Sequence, residues 1–435
     1  MTCTQRVRSH LTAACLLIVL SSSLASAGDF AVAPLNELPF TSRAFHGARA
    51  VGMGGVALAV ADDASALLTN PAGLARLRRV EVAAGLTRRT DDHSGSVLGD
   101  GFDTSLSMTE LSALRFAYPF PTFRGSGVFA LAAERVGDLN DDFYAEYEDD
   151  FNWSEAAPLI GRSEHTEDLR AQGDLYAWVI GGAFDASERL SLGASLSFWS
   201  GSMDHRFEKR VEDTSDVSAD YESYTMRRDA EFDMSGLRLS LGALYYASDL
   251  VTVGLLVDSP MTLAIDATID TIEIHRKASG TFTTEEIGYY TDDYNVPFTF
   301  AAGVAIQPTD LLVIGADVAF TDWAELERDL QLFADDPVRR DDYVATTDVR
   351  VGAELTLPSW PIRIRAGYAT SPIAYRGLEI DSDRAYFTLG AGFLVDTVLA
   401  IDVAWAKGAF ERSAALPYEE SVDDTAVLIE AAYRF

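Results

Sequence analysis

The sequence predicts an all-β fold, a transmembrane antiparallel β-barrel of about 14 strands with an N-terminal plug inside the lumen. Three observations lead there. Fourteen stretches between Val80 and Phe435 alternate apolar with small or polar residues, the connections between them are long and short by turns, and the last strand ends on Tyr433 and Phe435. A strand crossing lipid must satisfy its backbone N–H and C=O groups in a closed sheet while successive side chains face lipid and lumen.

The chain opens on Arg6 and Arg8, an apolar run from Leu11 to Leu20 and the small residues Ala25-Ser26-Ala27. Together these read as a signal peptide over residues 1–27, so the mature chain begins at Gly28. A lipoprotein reading of Cys15 is weaker, because Thr12-Ala13-Ala14 lacks the leucine such a site carries and the apolar run continues past the cysteine. Cys3 and Cys15 are the only cysteines. Loss of the leader therefore excludes disulfides, thiol chemistry and cysteine metal sites from the mature protein.

Residues 28–79 form the plug. From Gly47 through Gly52, Gly54 and Gly55 to Ala66 the residues are mostly small, and Asn70-Pro71-Ala72-Gly73-Leu74 follows. Small residues let a backbone pack closely in a confined space. Asp62 or Asp63 is expected to cap a short helix running through Leu68, and Asn70-Pro71 to end it. The three glycines lack the strand-turn-helix context of a dinucleotide fingerprint.

The barrel, residues 80–435, follows with strands expected at Val80–Thr87, Glu110–Tyr118, Ser126–Val136, Ala171–Phe184, Leu190–Ser200, Met234–Tyr246, Leu250–Asp258, Val296–Ile306, Leu311–Thr321, Thr346–Leu357, Ile362–Ala369, Arg384–Val395, Val398–Ala406 and Thr425–Phe435. Val351, Ala353, Leu355 and Leu357 share one face, opposite Arg350, Gly352, Glu354 and Thr356. One face suits lipid and the other a wet lumen. A soluble sandwich or propeller alternates equally well, but it does not impose the rhythm of the connections.

Seven long segments (88–109, 137–170, 201–233, 259–295, 322–345, 370–383 and 407–424) are expected as outer loops, with six short turns at the opposite end. They hold 48 of the 67 Asp and Glu but only 17 of the 34 Lys and Arg, so nearly all of the net charge of −33 sits at one end of the barrel. That charge excludes nucleic acid as a partner. Aromatic residues near strand ends, such as Tyr118, Trp199, Trp360 and Trp405, suit interfacial girdles.

The stretch GARAVGMGGVALAVADDASALLTNPAGLA, Gly47 to Ala75, resembles the N-terminal signature of the FadL/TodX superfamily of outer-membrane hydrophobic-compound transporters and of the related PorV-like proteins. Val296-Pro297-Phe298 through Thr321-Asp322-Trp323, and Arg365-Ala366-Gly367-Tyr368 with Thr388-Leu389-Gly390-Ala391-Gly392-Phe393, resemble it more loosely. The resemblance implies a 14-stranded barrel blocked by an N-terminal hatch, with Gly52, Gly54, Gly55, Asp62, Asp63, Asn70 and Pro71 as hatch or gating residues. It implies the outer membrane of a Gram-negative-type bacterium and passive uptake of a hydrophobic small molecule. In the fatty-acid branch the third and fourth outer loops form a greasy capture groove, whereas Gly201 to Asp233 here carries Glu208, Glu212, Asp213 and Asp229 among its acids. Long-chain fatty acid is therefore disfavoured. The alternative is a PorV-like docking or shuttle role for secreted or surface proteins.

No catalytic constellation is present. His46, His93, His165, His205 and His275 stand singly, without metal-ligand spacing, and no Gly-x-Ser-x-Gly elbow supports a barrel lipase. The expectation is a non-enzyme without cofactor or metal. The acidic runs Asp138–Asp150 and Asp335–Asp342 read as solvated charge before cation sites. The expected partners are outer-membrane lipid and lipopolysaccharide, a hydrophobic small molecule, and the barrel-assembly machinery, which would recognise Tyr433 and Phe435.

Overall fold

The computed structural model describes residues 46–122, 125–152, 160–216, 221–329, 343–374, 379–414 and 418–435. The expected leader and the first part of the expected plug, residues 28–45, lie outside them. Inward and outward alternation in the sequence becomes a closed antiparallel barrel of 14 strands. These are β1 Glu81–Val97, β2 Asp100–Phe120, β3 Gly127–Asp138 with Asp141–Asn152, β4 Ile160–Ser187, β5 Leu190–Glu212, β6 Tyr221–Tyr246 and β7 Val251–Asp258 with Met261–Lys277. They continue as β8 Gly280–Val296 with Thr299–Thr309, β9 Leu312–Thr321 with Glu327–Asp329, β10 Thr346–Thr356, β11 Ile362–Ser371, β12 Glu379–Val395, β13 Leu399–Ala414 and β14 Tyr418–Arg434. Ladder hydrogen bonds from Glu81↔Arg434 to Val97↔Tyr418 close β14 onto β1, which leaves the sheet without a free edge at the seam of the two termini.

Burial is inverted relative to a soluble core. Leu86, Leu114, Trp178, Leu241, Phe320, Val351, Phe387 and Ile429 point outward and are exposed, while Glu81, Arg115, Glu134, Glu354 and Arg365 point inward and are buried. The outward residues form a belt over the segments expected as strands. Only lipid makes that arrangement favourable, because exposed apolar surface costs roughly 25 cal/mol per Å² in water. No helix among the described residues is long and apolar enough to cross a membrane.

Six of the seven segments expected as long loops are largely strand where they are described, and this is the main correction; most of 322–345, with the acidic run Asp335–Asp342, lies outside the described residues. The β4 strand has 28 residues, a contour of about 90 Å at ~3.3 Å per residue, where a bilayer needs only about 9–11. It pairs with β5 from Glu164↔Glu212 to Ser187↔Leu190, and β5 pairs with β6 out to Glu212↔Ser223. The outer hairpins persist because Leu169, Phe207, Val211 and Phe232 turn inward and are buried, while Lys209 holds Glu167 at 2.9 Å and Arg206 holds Asp229 at 2.6 Å across the strands. The opposite end carries the short turns as expected. Between β12 and β13, Asp396 and Thr397 both adopt positive φ, 48° and 60°, the handedness that matches a twisted hairpin.

The wall has one weak place. Above Ala113, β2 pairs with β1 alone, and its ladder to β3 runs only from Ala113↔Glu134 to Phe120↔Gly127. Side chains close the rest of that seam. Arg135 holds Glu110 at 2.6 Å, Asp138 at 3.0 Å and Asp174; Tyr176 Oη donates to the Leu111 carbonyl at 3.0 Å; and Phe102 stacks edge-on against Phe143 at 5.0 Å. Asp138, expected as solvated charge, is thus part of an ion cluster that also takes Arg89 at 3.5 Å.

Candidate functional site

Residues 46–79 thread the lumen, and their small side chains bring backbone onto backbone. Helix α1, Ala48–Gly52, is one turn long, and Gly54 and Gly55 follow with φ of 71° and 78°, a conformation L side chains rarely adopt. A Cβ on Gly54 would lie 2.6 Å from the Tyr368 nitrogen and 2.7 Å from the Val351 carbonyl. On the facing wall, a Cβ on Gly352 would land on the Met53 carbonyl oxygen, and one on Gly242 on the Asn70 side chain. Small residues on both partners are needed for this contact.

Wall carboxylates anchor the segment. Asp317 Oδ2 accepts from the Ala57 and Leu58 nitrogens at 2.7 and 3.0 Å, Glu81 from the Ala64 nitrogen at 2.7 Å, and Glu430 from the Ala48 nitrogen at 3.2 Å. Arg49 grips Glu354 and Asp62. Glu354 also receives Arg365 at 2.7 Å, and Arg365 reaches Asp402 at 2.5 Å. Arg115 bridges Glu134 and Glu430, both at 2.8 Å. Arg49, Arg115, Arg365 and the glutamates they hold each have an opposite partner, as buried ions require, whereas Asp317 is held by backbone N–H groups alone.

The residues singled out in the sequence come together here, with altered local roles. Asp63 does not cap the helix through Leu68. Helix α2 spans only Ala66–Thr69, and Asp63 Oδ1 accepts from the Ser65 nitrogen at 2.9 Å and from its hydroxyl, forming a turn ahead of it. Burial pushes the Asp63 carboxyl up, but Arg49 and the Ser65 hydrogen bonds outweigh it and hold it below the usual carboxylate range. Asn70 does more than end a helix. Its Oδ1 accepts from the Ala72 nitrogen at 3.2 Å and caps the 3-10 helix Pro71–Arg76, while its Nδ2 donates to the Leu58 carbonyl at 2.7 Å. Pro71 sits at the first position of that 3-10 helix, where its missing N–H is not needed. Gly52 touches the wall at Gly390, and Gly55 lines the cavity described next.

Beside the inner segment lies a cavity of about 70 Å³, partly open to solvent. Its apolar side includes Ala57, Leu58, Leu68, Leu256, Ala319 and Trp199, which faces the lumen and not the girdle expected of it; its polar side includes Arg238, Ser240, Asp258, Asp317 and Arg350. The apolar side continues as one buried cluster. It runs from Leu67 and Leu74 up the inward faces of β4 to β7 through Leu175, Trp199, Met203, Phe232, Met234, Met261 and Leu263. The lumen is therefore greasy along one arc and ionic along the other. Sequence reasoning placed Glu354 in the lumen but missed Asp317, Glu430 and Arg238, whose inward position follows from the strand alternation and whose partners do not. Among the described residues, no three His, Cys, Asp or Glu side chains converge as metal ligands do.

A family model described as BamG matches residues 13–361 of the chain. No curated protein matches it. Solved structures do. The toluene transporter TodX of P. putida is similar with a TM-score of 0.63 at 16% identity, over 91% of this chain and 99% of that one. A FadL homologue of Pseudomonas aeruginosa gives 0.62 at 13%, over 89% and 97%. The toluene transporter TbuX of Ralstonia pickettii gives 0.59 at 14%, over 89% and 98%.

Proposed function

The chain belongs to the BamG family and is a β-barrel of the bacterial outer membrane, and from that premise we propose that it carries hydrophobic small molecules passively through its lumen. One observation carries the reading: the apolar cluster on the inward faces of β4 to β7, which includes Met203 and Trp199 and borders the cavity beside the inner segment. A ligand leaving water for such a surface gains roughly 0.8 kcal/mol per buried CH₂. The likeness in fold to two toluene transporters supports the same reading.

In this proposal residues 28–79 are the hatch, a unit distinct from the barrel of residues 80–435. Gly52, Gly54 and Gly55 permit it to shift, and the contacts of Asp62, Asp63, Asn70 and Pro71 set its resting position. Ligand binding beside Leu58 and Leu68 loosens that position and opens the way onward. A docking or shuttle barrel needs no apolar arc inside it, so the arc favours transport, and no enzymatic step is assigned. Outward-facing Tyr433 and Phe435, stacked edge-on at 4.9 Å, suit recognition by the barrel-assembly machinery. The acidic outer hairpins, read as solvated charge, would face the lipopolysaccharide layer.

The test is uptake of radiolabelled toluene and decanol by liposomes holding the purified barrel. Uptake above empty liposomes, reduced several-fold by Met203→Lys and Trp199→Asp in barrels that still migrate as folded species, supports the reading. Uptake equal to empty liposomes with correctly folded protein overturns it.

A further inference from the structure

We propose that Arg238 is an anion subsite in this lumen, and that the molecule it takes is a small hydroxylated organic acid rather than a plain hydrocarbon. This inference rests on the transport reading and narrows its substrate class. Arg238 lies on the inward face of β6, lines the cavity and is only 7% exposed. It makes no hydrogen bond or ion pair to any described residue; its guanidinium carbon lies 5.2 Å from the centroid of the Trp199 ring. Its Nε is enclosed without a partner.

The contrast with the other buried arginines gives this weight. Arg49, Arg115 and Arg365 each hold two carboxylates. A guanidinium stays charged even when buried, so one left without an anion is costly unless something else supplies it. Among the described residues no carboxylate pairs with Arg238, although Asp258 and Asp317 line the same cavity, and the planar fork suits a carboxylate bound through two N–H groups.

The same cavity also carries acceptors. Asp317 uses Oδ2 for the Ala57 and Leu58 nitrogens, and its Oδ1 has no hydrogen-bond partner. Asp258 accepts from the Ser240 hydroxyl at 2.5 Å. A ligand with only a hydrocarbon body leaves Asp317 Oδ1 unaddressed. One that adds a hydroxyl donor to an acidic group answers Arg238 at one end and Asp317 at the other. Ala57, Ala301 and Ala319 on the wall leave room for a ring, and Trp199 gives it an apolar face.

The experiment is calorimetric titration of the full-length barrel in detergent with 4-hydroxybenzoate, benzoate, phenol and toluene. The expected order has 4-hydroxybenzoate about tenfold or more tighter than benzoate, which lacks the donor, and than phenol, which lacks the acid. Arg238→Met should weaken both acids at least tenfold and leave phenol and toluene within twofold, with Arg238→Lys falling between. Heat-modifiable migration confirms folding, and Arg238→Gln serves where the methionine variant does not assemble. Acids bound equally by wild type and Arg238→Met overturn the inference, as does equal affinity for benzoate and 4-hydroxybenzoate. Toluene bound without either acid overturns it and leaves the transport reading standing; binding of none of the four overturns both.

Discussion

Arg49 and Glu354, 305 residues apart, meet as a two-pronged fork, Nε to Oε2 at 3.0 Å and Nη2 to Oε1 at 3.1 Å. This pair ties helix α1 to strand β10, and the two ends of the fork are unequal. Arg49→Met leaves Glu354 still bound by Arg365, so the loss of stability should be about 1–3 kcal/mol. Glu354→Gln weakens both arginines at once and should cost about 3–5 kcal/mol. Denaturant unfolding of the two variants checks the order. In planar bilayers Arg49→Met should add open events absent from wild type; equal stabilities and silent bilayers would count against the fork as the latch of the inner segment.

Gly352 tests the backbone contact without touching a charge. A methyl there would occupy the place of the Met53 carbonyl oxygen, which a neighbouring backbone cannot yield cheaply. Gly352→Ala should therefore loosen residues 46–79 while leaving the barrel assembled. Trypsin cleavage after Arg78 or Arg79 should speed up by about tenfold, since proteolysis follows the population of the open form. Gly101→Ala, whose nearest neighbour would be 3.7 Å away, is the control expected to change nothing.

The lipid-facing half of this fold was readable because a period of two is enforced wherever lipid meets one face. Val351 and Leu355 point outward as the alternation predicted. The outer hairpins were not readable in the same way. Water bathes their outward face, so polar residues occupy it beside Phe207, Val211 and Phe232, and the contrast between faces fades. The lumenal charges were visible as a face but not as pairs. Which arginine meets which carboxylate depends on register and on the path of residues 46–79, and Arg238 looked like any polar residue of a strand until its lack of a partner could be seen.

His165 gives the outer hairpins a pH dependence. It stacks on Tyr147 at 5.1 Å, and burial, followed by the Lys209 charge, lowers its pKa from the usual 6.5 to about 4. The folded state therefore holds it neutral while the unfolded chain takes a proton below pH 6.5. Stability from this group is complete above that pH and is lost as pH falls toward 4, on the order of 2–3 kcal/mol in all. His165→Phe keeps the stack and should flatten that acid limb. Unfolding curves at pH 7.5 and 4.5 measure it; a variant that loses as much stability on acidification as wild type would exclude His165 as the cause.

Arg135 is the keystone of the seam between β2 and β3, where backbone pairing stops at Ala113↔Glu134. Ladder hydrogen bonds elsewhere in the wall are indifferent to salt, but an ion cluster with Glu110, Asp138 and Asp174 is screened by it to the extent that water reaches it. The seam should therefore be the part of the barrel that opens first. Arg135→Met leaves Asp138 with Arg89 and Glu110 without its partner, so the two acids on opposite sides of the seam repel. Combined with Tyr176→Phe, which removes the hydrogen bond to Leu111, it should raise amide exchange in residues 102–112 by about tenfold or more while exchange in β12 to β14 stays unchanged. Raising the salt should move wild type part of the way toward the variant. Uniform exchange across the wall, or a seam indifferent to both changes, would mean that Phe102 and Phe143 hold it closed without the ions.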